Sequence, residues 1–314
     1  MEGKDKERDE KPDKKLNEEA QSQQNKATEE SSRVQFPAGP PSFALLWQNL
    51  IIEGVFYVGL VYGCLVMDEF AIVMEDIVKS FEDVVAVNGV SLKVVRSELF
   101  GLLGPNGAGK TTTVNMLCGL LKPTSGFVSV GGYDVQRENA KVKGLIGVCP
   151  QETAVYPYLT GVENVELFGN LYALNKETLR SRREMLLEKL GLTQDAHRKV
   201  EKYSGGMKRR LSIVLALIHN PQIIFLDEPT VGMDPQSRRA VWDFMRELKK
   251  EGKTIFLTTH YMEEAESLCD RVGIIDYGRL IALDAPKKLI SQNSVGNLEE
   301  VFIKLTGRRI REEI

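Results

Sequence analysis

Cysteine is scarce in this chain and never paired: Cys64, Cys118, Cys149 and Cys269 stand far apart among 314 residues and form no C-x-x-C. That spacing excludes a disulfide framework and a zinc knuckle and fits a reducing cytoplasm. An excess of one charge is lacking too. A formal net charge of −3 with 27% charged residues leaves no strongly basic surface, so nucleic acid is not the expected partner. No apolar core follows the start of the chain within the distance a signal peptide requires. Long uninterrupted hydrophobic runs are few. Residues 43–67 have the length to cross a hydrocarbon core of about 30 Å as a helix, yet Gln48, Asn49 and Glu53 interrupt them. The uninterrupted stretch, 54–67, is short for a span. The segment therefore reads as a membrane span or as an interfacial or buried element, and a third reading starts the working chain near Met67.

What is present suits one large or two modest domains, with 42% hydrophobic residues to build a core. Residues 1–33 are almost all charged or amide-bearing and are expected to be disordered; with the proline-rich linker at 36–41 they make a tail over 1–42. From Phe70 the text is that of a folded domain, 68–285. Strands are predicted at 71–78, 84–87 and 90–95, with Asn88-Gly89 as a hairpin turn, and at 127–130 and 133–135 around Gly131-Gly132. Another strand is predicted at 144–149, stopped by Pro150. The stretch 152–205 reads as an all-helical insert: Thr160-x-x-Glu163 is a capping box, and a second helix over 176–190 stops at Gly191. A helix over 208–219, a strand at 223–226, a helix to about 251 and a strand at Thr254–Thr259 then alternate. Alternation of this kind argues a parallel sheet, whose functional residues gather at the carboxyl ends of its strands. A short helical tail is expected over 286–314.

Leu99–Leu103 is an apolar strand that feeds Gly104-Pro105-Asn106-Gly107-Ala108-Gly109, after which Lys110, Thr111 and Thr112 open a helix predicted to run to about Leu121. Strand, Gly-x-x-x-x-Gly-Lys-Thr, helix is the phosphate-binding loop in its proper context. The glycines let the backbone aim N–H groups at phosphate oxygens, and the helix N-terminus adds its dipole. Lys110 adds a point charge, and Thr111 is placed to ligate Mg²⁺. Asp227 and Glu228 close an apolar strand; the first can hold the metal through water, the second can act as general base. Gln151, just past a strand, can offer its amide to metal and water. His260 also ends a strand and can donate to a γ-phosphate, whereas His197 and His219 lack that placement. Phe81 can stack on a base or belong to the core. Ser204-Gly205-Gly206, at a helix N-terminus, is a second anion site, which suggests a head-to-tail pair with two nucleotides at the interface.

These residues in this order resemble an ATP-binding cassette, the motor subunit of the ABC transporters, over about 72–281. In that likeness Gly104 to Thr111 is Walker A, Gln151 the Q-loop, Ser204-Gly205-Gly206 the signature and Ile224 to Glu228 Walker B. Gly232-Met233-Asp234 is the D-loop, His260 the switch histidine and Phe81 the adenine-stacking position. The resemblance implies a P-loop NTPase (RecA-like) α/β core with an antiparallel β subdomain and an inserted α-helical subdomain. It also implies ATP and Mg²⁺ as ligands, a dimer with a second copy or a homologous cassette, and separate transmembrane permease subunits. The signature departs from Leu-Ser-Gly-Gly-Gln at Tyr203 and Met207, which puts the glutamine contact in doubt and spares the backbone donors. The stretches YSGGMKRRL, TTHYMEEAE and NLEEVFIKLTGR are similar to daunorubicin-resistance type exporters. The alternative class, a cassette ATPase acting on ribosomes or nucleic acid, usually carries two cassettes or a coiled-coil insert.

Overall fold

The computed structural model describes residues 69–307; the tail 1–42, the hydrophobic segment 43–67 and the end of the chain from 308 lie outside the described residues. In chain order the first elements are β1 (Phe70–Phe81), β2 (Val84–Val95), β3 (Leu99–Leu103), α1 (Lys110–Leu117), β4 (Ser125–Val130) and β5 (Tyr133–Asp134). Next come α2 (Asn139–Leu145), β6 (Ile146–Cys149), α3 (Gly161–Leu171), α4 (Lys176–Lys189), α5 (Gly205–Leu217) and β7 (Ile223–Asp227). The chain continues through α6 (Pro235–Lys250), β8 (Thr254–Thr259), α7 (Met262–Leu268), β9 (Arg271–Asp276), β10 (Arg279–Asp284), α8 (Pro286–Asn293) and α9 (Leu298–Thr306).

Burial pattern sorts the strands into two sheets. β3, β7 and β8 are buried at every residue, as strands covered on both faces must be. They lie in a six-stranded sheet of order β10-β9-β3-β8-β7-β6, parallel except for β10 at its edge. Side chains alternate between its faces. Leu99, Leu103, Ile224 and Leu226 join a core with α5, α6, α7, α8 and α9, while Phe100, Leu102, Ile223 and Phe225 face α1 and the second sheet. That second sheet is antiparallel, of order β2-β1-β4-β5. In β2, Val90, Leu92 and Val94 are buried and Ser91 and Lys93 exposed, the period of a strand with one solvated face. The whole is an α/β core with an antiparallel β subdomain and a helical stretch between β6 and β7.

Four local expectations change. β2 runs straight through Asn88-Gly89, and the turn is Glu82-Asp83 between paired Phe81 and Val84. Gly89, at φ 70°, is the extra residue of a bulge, and Asn88 N–H is taken by the Gly278 carbonyl at 2.8 Å, so this dipeptide serves a long-range contact. The helix opened by Lys110 stops at Leu117, where Gly119 at φ 66° reverses the chain. The strand placed at 144–149 begins at Ile146, because α2 continues to Leu145. The helix placed at 208–219 begins at Gly205, since the Ser204 hydroxyl accepts from Met207 N–H at 3.2 Å and caps it. The capping box of α3 forms as read: Glu163 N–H donates to Thr160 Oγ1 at 3.1 Å, and Thr160 N–H to Glu163 Oε2 at 2.7 Å.

β6 can approach α5 only because residue 147 has no side chain: a Cβ there would drive into the main-chain carbonyl of Ala216 and onto the Pro221 ring. Gly147→Ala is therefore expected to lower stability by about 2 kcal/mol, read as a reduced midpoint in urea unfolding. An unchanged midpoint would contradict the packing described.

Candidate functional site

Strand register brings the chemistry together. Leu103 pairs with Thr259 and Asp227 with Thr258, so the carboxyl ends of β3, β7 and β8 deliver Gly104, Glu228 and His260 to one place. β6 ends beside β7 and delivers Pro150 and Gln151. A cleft there, of about 190 Å³, is lined by Ala86, Asn106, Gly107, Gly109, Lys110, Thr111, Thr112, Gln151 and Glu228. Gly109 is required: at φ 102° it caps α1, and a Cβ would meet the carbonyl of Ala86. Gly104 is tied by its N–H to Thr259 O at 3.3 Å, and Ala108 by its N–H to Pro105 O at 3.2 Å.

Lys110 and Glu228 form an ion pair with 3.1 Å between Nζ and Oε1, each side chain only 5% exposed. The same ammonium donates to the carbonyls of Gly104 at 2.9 Å and Pro105 at 3.1 Å. His260 Nδ1 lies 3.2 Å from the same Glu228 oxygen. Burial pushes the Glu228 carboxyl up, but the His260 ring and the Lys110 charge outweigh it and hold the group below its ordinary range. Glu228 itself sits at φ 51°, a left-handed conformation that costs a non-glycine residue about 1–3 kcal/mol. Its N–H is held by both the carbonyl and the hydroxyl of Thr258, each at 3.1 Å. The Thr258 hydroxyl also donates to Asp227 Oδ1.

Thr111 Oγ1 donates to Gln151 Oε1 at 3.3 Å. Two neutral oxygens side by side near a carboxylate suit Mg²⁺, which takes a few protein oxygens and leaves other positions to phosphate and water. Other expected site residues stand apart from the cleft lining. Phe81 ends β1, 45% exposed, with the Lys79 ammonium 4.8 Å over its ring. Ser204 caps α5, with Gly205 and Gly206 in its first turn. Asp234 caps α6, its side chain accepting from Ser237 N–H at 2.9 Å.

Two buried groups escaped the sequence reading. Arg209, 4% exposed, donates to the carbonyls of Pro150, Gln151, Asp227, Glu228 and Pro229. Helical spacing was the available signal, since it puts Arg209 on one face with Ser212, Ile213 and Ala216, all buried. Glu264 accepts from the Thr230 hydroxyl at 2.8 Å and from Trp242 Nε1 at 2.9 Å, and burial holds its carboxyl above the ordinary range.

Because the Glu228 carboxyl is depressed in the folded chain, its ionised form adds stability above the ordinary carboxylate range. That contribution disappears as pH falls through the lowered value. Glu228→Gln is expected to lose less stability than the parent as pH falls through and below the ordinary carboxylate range, measured by urea unfolding. Equal losses in the two proteins would count against the ion pair.

The profile of the ABC transporter family matches residues 87–231. The chain is 45% identical over 237 residues to the linearmycin resistance ATP-binding protein LnrL of Bacillus subtilis, covering 73% of this chain and 76% of that one. It is 42% identical over 242 residues to the daunorubicin resistance ATP-binding protein DrrA3 of Streptomyces coeruleorubidus, covering 77% and 76%. Its fold is similar to that of a dimeric ATP-binding cassette solved in a post-hydrolysis state with ADP and Pi: TM-score 0.64, 28% identity, covering 68% of this chain and 98% of that one. With a phosphate-loop cleft at its strand ends and such likeness over most of its length, the chain belongs to the ABC transporter family, as an ATP-hydrolysing cassette.

Proposed function

We propose that two copies of this cassette, or this chain and a homologue, close head to tail on two ATP molecules and so drive separate membrane subunits of an exporter. The observation that carries the catalytic half is the placement of Glu228: one oxygen is engaged by Lys110 and His260, and the carboxylate still faces the cleft. Triphosphate oxygens take N–H groups from Asn106, Gly107 and 109–112 and compete with Glu228 for the Lys110 ammonium. A carboxylate that loses its cation while staying buried rises in proton affinity, and Glu228 then accepts the proton of the attacking water. His260 meets the charge that develops on the γ-phosphate. Thr111 and Gln151, with Asp227 behind water, would hold Mg²⁺, which when bound would supply neutralisation of phosphate charge. Phe81 is assigned to the adenine, and Asp234 of the D-loop to nucleotide binding.

The dimer is supported by the separation of the second anion site, Ser204-Gly205-Gly206, from the cleft lining, and by the dimeric assembly of the solved relative. Among the described residues no helix is long and apolar enough to cross a membrane. A groove of about 390 Å³ between the core and the insert, lined by Cys118, Leu120, Ile146, Phe168, Tyr172 and Ala216, suits an apolar segment of such a partner. In this reading the cassette works at the cytoplasmic face of the membrane, as a peripheral subunit or one tethered through 43–67. Likeness to resistance proteins supports outward movement of the cargo.

Glu228→Gln is expected to cut kcat by about a thousandfold and to accumulate an ATP-dependent dimer in size-exclusion chromatography. Hydrolysis at the parental rate would refute the base. Lys110→Ala should weaken ATP binding by about tenfold or more in titration calorimetry. Leu120, 64% exposed at the groove, offers a test of docking: Leu120→Glu should keep basal hydrolysis and lose co-purification of the membrane subunit. Retained co-purification would remove the groove from the interface.

A further inference from the structure

Two successive arginines of α5 face opposite ways. Arg210 Nη1 donates to the carbonyls of Leu190 at 2.8 Å and Gly191 at 3.4 Å, where α4 of the insert ends. Arg182 of α4 returns the contact, donating to the last carbonyls of α5 at Leu217 and Ile218, both at 2.6 Å. Insert and α5 are thus fastened at both ends of the helix. Arg209 turns instead into the core. A guanidinium has five N–H groups and no acceptor, and here each group meets a main-chain carbonyl. Nε donates to Pro229 at 3.3 Å, Nη1 to Pro150 and to Gln151 at 2.8 Å, and Nη2 to Asp227 and to Glu228 at 2.9 Å.

The acceptors come from two strand ends. Pro150 and Gln151 follow β6; Asp227 ends β7, and Glu228 and Pro229 continue from it. Glu228 is therefore gripped on both sides, its N–H by Thr258 and its carbonyl by Arg209, which is how a side-chain-bearing residue stays at φ 51°. Gln151 is gripped the same way, its carbonyl by Arg209 and its amide oxygen by Thr111. Five residues before Arg209, on the same helix, Ser204 caps the N-terminus.

We propose that Arg209 is a positioning residue that ties the Ser204–Gly206 end of α5 to the main chain of Gln151 and Glu228, so that engagement of that end sets the attacking geometry in the subunit's own cleft. The inference rests on the catalytic reading of Glu228 and on the second anion site. A planar fork bonded to five carbonyls moves with its acceptors as one body, and displacement of α5 is passed to both catalytic side chains. Among the described residues Arg209 is the sole buried arginine.

The test uses the full chain, with its membrane subunits where hydrolysis requires them. Arg209→Met removes all five bonds at similar length; Arg209→Lys keeps the charge and at most three donors. Expected for Arg209→Met is a fall in kcat of about a hundredfold with KM for ATP within about twofold, and partial recovery in Arg209→Lys. Rates are normalised to the ATP-binding fraction, so loss of folded protein does not register. A normalised kcat within about threefold of the parent, or KM rising in step with the loss, would overturn the assignment. Should Arg209→Met fail to fold, the same criteria apply to Arg209→Lys. Ser204→Ala combined with Arg209→Lys separates coupling from independent roles: a double variant no slower than the slower single one supports the tie, and multiplied losses overturn it. Glu228→Gln run beside them keeps the two readings apart. Parental hydrolysis by that variant would sink the catalytic reading, whereas an inactive Glu228→Gln with an unaffected Arg209→Met would sink only this one.

Discussion

One carboxylate oxygen, Glu228 Oε1, holds the ammonium of Lys110 and the ring of His260 together, and through them joins the ends of three strands. A buried charge deprived of its partner costs about 3–5 kcal/mol, so the contact constrains everything that delivers it. β3 must present Lys110 after a tight loop, β7 must end one residue before Glu228, and β8 must end at Thr259. The pairing of Leu103 with Thr259 and of Asp227 with Thr258 does this. A slip of one residue would reverse the face of every side chain in a strand whose two faces serve different cores.

Glu228 and Glu264 make the point from the opposite direction. Both are buried glutamates near the same strand ends, yet the first is held below the ordinary carboxylate range and the second above it. Glu228 has a lysine ammonium and an imidazole against it. Glu264 meets a hydroxyl and an indole N–H, which satisfy an oxygen without supplying enough charge to offset burial. The first is therefore held ionised for as long as its cationic neighbours stay against it, and the second braces the turn after β7 against α6 and α7.

Much of this was legible because its causes are local. The phosphate loop, the capping box at Thr160 and Glu163, and the acidic end of β7 depend on neighbours within a few residues, and each stands where the text places it. Asn88-Gly89 misled for the opposite reason. The dipeptide has the chemistry of a hairpin turn, but its N–H is committed to Gly278, nearly two hundred residues away in sequence, and the strand bulges instead of turning. Arg209 offered only its helical spacing as a sign of burial, because its partners are main-chain carbonyls, which leave no mark on residue type. The separation of Ser204 from the Lys110 cleft is likewise a fact of tertiary packing.

Lys110 has a bearing on which anions the loop admits. Its ammonium already has three oxygen partners, two from its own loop and one from Glu228. An incoming anion competes with these, and displacing a buried carboxylate partner forfeits about 3 kcal/mol, roughly two orders of magnitude in affinity. A small singly or doubly charged anion brings few contacts to offset that loss. A nucleoside triphosphate brings several charges and reaches many of the loop's N–H donors at once. The internal counter-ion thus sets a threshold: any anion entering the loop must offset the loss of the Lys110–Glu228 pair.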